Sequence, residues 1–303
     1  MELANITFHQ ILTMFVIMVM GFLCARIKII DENMNKKLST FLLLFVNPLV
    51  VFMSYQRDFE VELLYGLMIA IGLATILFTI SLTIAHIHFK DRNGHSLAVE
   101  RYCAVYSNSG FIGIPLTLGI FGQIGVFYLT AQLTISNLLM WTHGVAVMQG
   151  TKDFTNVKKA LITPPFIATI IGFIAFIIGF RLPDVLSRPI EMVGSMNTPL
   201  AMIIAGVSIS KANFGKIIKN KNIYQLCLIR LIIIPLTVIG AFSLFNVQST
   251  ITGTLIIAAA CPVATNAILF AYRYERDHLY ASELFVASTI LSMLTIPLLV
   301  LLI

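Results

Sequence analysis

The chain has 303 residues, of which 58% are hydrophobic and only 11% charged, with a mean hydropathy of +0.92. A soluble domain carries about 25% charged residues, so this composition excludes an ordinary water-soluble protein and points to an all-α integral membrane protein. The net charge of +6 does not indicate a nucleic-acid partner, because the basic residues fall in short loops between apolar runs.

Apolar runs recur about every 25–30 residues, enough for a spanning helix and its turn, and β-barrel alternation is absent. Ten spans are expected: 6–27, 37–54, 63–86, 99–120 and 124–148, then 161–180, 189–209, 223–245, 251–272 and 281–303. The sequence opens Met1-Glu2-Leu3 with no basic leader region and no small-residue cleavage site, so span 1 is expected to be retained. The longest polar segment, 150–160, reads as a short cytoplasmic connection between residues 1–149 and 161–303.

Lys and Arg are distributed unequally. Loops after odd-numbered spans carry 16 of the 20 basic residues. Loops after even-numbered spans carry Arg57, Arg181 and Arg188, and Arg230 lies inside span 8. The positive-inside rule then makes the odd loops cytoplasmic and puts both termini outside, in a multi-pass protein of the cell membrane.

The most informative stretch is in span 4: Tyr106-Ser107-Asn108-Ser109-Gly110-Phe111-Ile112-Gly113-Ile114-Pro115. Polar residues, two glycines and a proline stand where lipid demands an unbroken backbone. A break there survives only if it is buried in protein or lines a cavity. Span 9 carries a counterpart, Cys261-Pro262 followed by Thr265-Asn266, with Pro262 147 residues after Pro115. Spans 2 and 7 carry Asn47-Pro48 and Asn197-Thr198-Pro199, whose prolines are 151 residues apart. The chain therefore reads as two five-helix repeats. Five is odd, so the copies are inverted, a plan in which paired broken helices mark a transporter's substrate site. Spans 4 and 9 are expected to cross at mid-membrane. Taken alone, either break is equally well read as a small-residue packing face with a tolerated kink.

Other polar positions admit two readings each. The Asn-Pro sites of spans 2 and 7 either line a path or kink a scaffold, and the scaffold is favoured. Arg230 either meets an anion or extends its charge to the interface, and the interface is favoured. His143, beside Trp141 at the cytoplasmic end of span 5, either titrates or sits at the interface, and the interface is favoured. Gln132 and Asn137 either face a site or bond a neighbouring helix. The 14 carboxylates lie in loops or at span ends, with Glu100, Glu191 and Glu283 near the edges, so sodium sites or proton relays lack obvious ligands. Cys24, Cys103, Cys227 and Cys261 form no CxxC pair and read as small buried hydrophobes. No metal site or cofactor is expected. HExxH, GxSxG and a Walker loop are missing, which argues against an enzyme and against ATP-driven transport.

These residues resemble the auxin efflux carrier family, which includes plant auxin carriers and bacterial malate and malonate permeases. The stretch from Asn108 through Gly113-Ile114-Pro115-Leu116 is similar to the family's Asn…Gly-Ile-Pro-Leu element. Phe41, Phe45 and Pro48-Leu49 in span 2, and Leu200-Ala201-Met202 through Gly206 in span 7, match as well. So do Cys261-Pro262, Phe270-Ala271, Tyr274 and Pro297. The resemblance implies a scaffold of spans 1, 2, 6 and 7 that commonly forms a homodimer, and a mobile unit of the remaining spans. It implies elevator-type alternating access and a small organic anion bound near the crossing. Plant members have a second proline where Ala267 stands, and their long loop is reduced here to 150–160. A malate- or malonate-type dicarboxylate or another weak acid fits better than auxin itself. The expected site comprises Asn108, Ser109, Gly110, Gly113, Pro115, Gln132, Pro262, Thr265 and Asn266. The alternatives are a sodium-coupled organic-anion symporter of the bile-acid-transporter-like crossover fold, and a membrane sensor that keeps the fold without turnover.

Overall fold

The computed structural model describes residues 2–90, 97–150, 161–212 and 214–302, and the connection expected at 150–160 lies outside the described residues beyond Gly150. The described residues are helical apart from short turns and one isolated antiparallel bridge between Ser107 and Val263. In order the helices are α1 (Glu2–Arg26), α2 (Glu32–Ser54), α3 (Val61–His88), α4 (Leu97–Val105) and α5 (Ser109–Gln149). Then come α6 (Pro164–Ile177), α7 (Asp184–Ser210), α8 (Phe214–Lys219), α9 (Lys221–Phe242), α10 (Ser249–Ala260), α11 (Asn266–Arg273) and α12 (His278–Val300). Seven of them, α1, α2, α3, α5, α7, α9 and α12, are long and apolar enough to cross a membrane. Helices α6 and α10 are apolar but shorter, at 14 and 12 residues.

Local chemistry sets several boundaries. Helix α2 starts earlier than the apolar run because Asp31 caps it, its carboxylate accepting from Met34 N–H at 2.7 Å. Asp277 caps α12 in the same way, accepting from Tyr280 N–H at 2.9 Å. The short helix α8, with Lys216 and Lys219 in its last turn, was not expected from the sequence. Helix α5 is 41 residues long and turns sharply at Gly122, whose φ of +65° suits a residue without a β-carbon.

Three helices widen just ahead of a proline. Asn47, Ile114 and Ile234 each send their N–H back five residues, to the carbonyls of Leu42, Ser109 and Ile229. Pro48, Pro115 and Pro235 follow directly. A proline ring clashes with the carbonyl four residues before it and offers no N–H, and a single π-turn relieves both problems.

Helix α1 lies against the second half of α7 at backbone distance. A β-carbon on Gly21 would meet the main chain of Ile203, and one on Gly206 the main chain of Met18 and Phe22. The rings of Tyr55, Phe127 and Phe176 meet edge to face, with centroids 5.1 and 5.4 Å apart, and join α2, α5 and α6. The outer faces are apolar: Phe8, Phe15 and Met20 on α1, Ile171 and Ile174 on α6, and Leu294 and Leu298 on α12 are all exposed. Helices apolar on every side, with the inward face packed and the outward face bare, are what a lipid environment requires.

Candidate functional site

The two breaks foreseen in the sequence meet. Helix α4 ends at Val105 and α5 begins at Ser109; α10 ends at Ala260 and α11 begins at Asn266. The extended residues between them pair across the gap. Asn108 N–H donates to Pro262 O at 2.8 Å, and Ala264 N–H donates to Tyr106 O at 3.0 Å. Val263 N–H donates to the Ser288 hydroxyl of α12 at 3.1 Å. Backbone groups that have left a helix are thus satisfied by the other broken strand or by a hydroxyl, the condition for irregular backbone inside an apolar protein.

Beside this crossing lies a cavity of about 130 Å³. Asn108, Ser109, Gly110 and Phe111 line it from the start of α5, and Ala264, Thr265 and Asn266 from the start of α11. Both helices present their N-terminal ends, where the helix dipole favours negative charge; in α11 the N–H groups of Ala267 and Ile268 already donate to Ala264 O and Thr265 O. The remaining wall includes Asn47 of α2, Thr134, Ser136 and Asn137 of α5, and Phe166 and Thr169 of α6. Among the described residues no charged side chain lines the cavity. Asn108 is 5% exposed, and among the described residues the Thr265 hydroxyl is buried without a partner. The Asn266 amide reaches the Met140 sulfur at 3.3 Å.

Five of the nine expected site residues are therefore brought together: Asn108, Ser109, Gly110, Thr265 and Asn266. The other four stand behind the wall. Gly113 packs against Ser109 and Cys261. Pro115 accepts from Gln10 of α1 through its carbonyl at 3.2 Å, and Pro262 forms the bridge itself. Gln132 is fully buried and reaches Ser107 at 3.5 Å, while Ser107 and Ser109 share a hydroxyl bond of 2.8 Å.

Two positions, Asn47 and Arg230, behave differently from the favoured sequence reading, and Glu100 and His143 gain partners it did not foresee. Asn47 is more than a scaffold kink: its amide donates to Gly110 O at 3.1 Å, and it accepts from Asn197 Nδ2. The two Asn-Pro motifs thus touch each other at the crossing. Arg230 does not reach an interface. It is completely buried and donates to Ala259 O, Cys261 O and Ala104 O at 2.9, 3.1 and 3.3 Å. Glu100 stands in the first turn of α4, near a span edge as expected, but it is buried and accepts from the Tyr280 hydroxyl at 3.0 Å. His143 is half-buried, and its Nδ1 lies 3.0 Å from the hydroxyl of Tyr106, a cavity residue. Thr134 and Thr169 were missed; their only sequence signal is a hydroxyl within an apolar run.

Residues 6–300, nearly the whole chain, match the family described as membrane transport protein. The chain belongs to that family. The resemblance to auxin efflux carriers is borne out, and the membrane transport protein family consists of transporters rather than enzymes. With its apolar helices, this family member is a multi-pass membrane protein. It is 23% identical to an uncharacterized transporter of Methanocaldococcus jannaschii, over 92% of this chain and 93% of the relative. It is 24% identical to an uncharacterized transporter of Methanothermobacter thermautotrophicus, over 96% of each chain. It is also 24% identical to a protein of Rhizobium meliloti named "Putative malonate transporter", over 94% of this chain and 92% of the relative.

Proposed function

We propose that this protein is a secondary carrier of a small organic anion, of the malonate or malate type or another small weak acid, working by elevator-type alternating access. The observation that carries the reading is the cavity where two helix N-termini converge on neutral amides and hydroxyls. Such a lining favours a carboxylate through N–H and amide donors and offers a cation no charged ligand. A cavity of about 130 Å³ is close to the roughly 150 Å³ that admits benzene, so it suits a short aliphatic acid better than a bicyclic aromatic one. The name of the Rhizobium relative points the same way.

The same reading supplies ten crossings in two inverted repeats, residues 1–149 and 161–303. At 1.5 Å per residue α5 is about 60 Å long, twice a hydrocarbon core of about 30 Å, and its turn at Gly122 divides it into two spans. The first of these continues α4, and α11 continues α10. Helices α1, α2, α6 and α7 form the scaffold and the dimer surface, with the basic loops cytoplasmic and both termini outside.

The test is counterflow of labelled malonate in proteoliposomes. Asn108→Ala removes an amide that lines the cavity and for which no hydrogen bond is seen among the described residues, so its thermal stability stays near wild type. Uptake falls by about 10-fold or more, the value of one hydrogen bond to a charged group. Saturable uptake that survives both Asn108→Ala and Asn266→Ala unchanged refutes the assignment.

A further inference from the structure

Arg230 poses a problem that the anion site does not solve. A fully buried guanidinium ordinarily needs a carboxylate, and leaving such a charge unpaired is strongly destabilising. Among the described residues no carboxylate lies within ion-pair distance of it. Its partners are instead three backbone carbonyls, Ala104 near the end of α4 and Ala259 and Cys261 at the end of α10. These belong to the orphan carbonyls of two helix C-termini. Each such end is equivalent to about half a negative charge, so the two together match one guanidinium. Arg230 comes from a third element, the π-turn of α9 just before Pro235, which turns its side chain between the two ends.

Three carbonyl oxygens converging from two helix ends are also a donor set that a hard metal cation accepts. We infer that Arg230 is a resident cation of the crossing: it occupies the place where the ends of α4 and α10 would otherwise bind a metal ion, and it makes the crossing independent of sodium. It acts as a positioning residue. By tying Ala104 to Ala259 and Cys261 it fixes the two C-terminal ends together, and this sets how the N-terminal ends of α5 and α11 face the cavity. The inference rests on the hydrogen bonds at Arg230 and not on the identity of the transported anion.

Thermal unfolding of the purified full chain in detergent, followed by fluorescence of the single tryptophan, Trp141, tests it without a substrate. In wild type, replacing sodium chloride by choline chloride leaves Tm unchanged. A wild-type Tm that rises with sodium overturns the inference, and this measurement needs no variant. Arg230→Met keeps much of the volume and removes the charge, and its Tm falls by roughly 10 °C. Arg230→Lys keeps the charge with a single point donor and falls between the two. In Arg230→Ala, millimolar methylguanidinium raises Tm while methylurea, similar in shape but neutral, does not. Equal stability of Arg230→Met and wild type, or equal rescue by methylurea, shows that the charge is idle and overturns the inference. Expression of Arg230→Lys but not Arg230→Met supports it.

Discussion

The contact between Asn47 and Asn197 is the most sensitive test of how the crossing is held. Asn47 is 3% exposed and Asn197 is fully buried. Asn47→Ala removes two bonds at once: the donor to Gly110 O and the acceptor of Asn197 Nδ2. The two losses differ in weight. Gly110 borders the cavity, where water can replace the amide. Asn197 has no such recourse, and its Oδ1 already lacks a partner. An orphaned buried donor costs about 1–3 kcal/mol in water-soluble proteins. Side-chain bonds between membrane helices average nearer 0.6 and reach about 1.7 kcal/mol. The expected loss for Asn47→Ala is therefore about 1–2 kcal/mol, most of it from Asn197. The assay is reversible unfolding in mixed micelles, carried out on Asn47→Ala, Asn197→Ala and the double variant. If the two amides act on each other, the double variant loses less than the sum of the singles, by about 1 kcal/mol. Strictly additive losses refute the contact as an energetic unit, whatever the effect on uptake.

Gly206→Ala drives a methyl group into the main chain of Met18, which cannot step aside, and should cost about 1–3 kcal/mol by unfolding. Gly72→Ala on α3 is the control: nothing lies within 4 Å of the added carbon, and helix propensity favours alanine by up to about 1 kcal/mol, so stability holds or rises. The ion pair of Arg181 with Asp58, at 3.3 Å, is exposed on both sides, and Arg181→Ala should change stability by less than about 0.5 kcal/mol. Malonate should raise Tm at concentrations where indoleacetate does not, since only a ligand that enters the folded site stabilises it; equal shifts contradict the size argument from the cavity.

What the sequence makes visible, and what it hides, follows from the range of each interaction. The breaks at Tyr106–Asn108 and at Cys261–Thr265 are legible because glycine, proline and small polar residues act on their own backbone. The positions of Asn108 and Asn266 in the cavity follow from those breaks, because each lies at or beside the start of the next helix. Asn47 was ambiguous because its partners, Gly110 and Asn197, lie 63 and 150 residues away. Arg230 misleads for a related reason. Eight residues into an apolar span, a long cation ordinarily extends to the interface. Nothing in its own neighbourhood says that two unsatisfied helix ends wait beside it. Glu100 sits near a span end in sequence, yet Tyr280 of α12 covers it. Pro115 and Pro262 were assigned to the site as the residues that break the helices, but causing the break and lining the cavity are separate tasks, and neither proline lines it.

The charge on Arg230 also bears on how the membrane potential enters the cycle. Helix ends carry partial charges that cancel over each whole helix, whereas in the proposed elevator cycle the guanidinium brings a full positive charge that travels with the crossing. Moving one elementary charge through the membrane potential is worth about 2.3 kcal/mol per 100 mV. In that cycle a monovalent anion offsets the guanidinium in the loaded half and a divalent anion outweighs it, so the loaded and empty halves differ in charge by the valence of the cargo. The ionic form of the cargo can therefore be read from the current it generates, by comparing transport at one fixed pH as the potential is stepped.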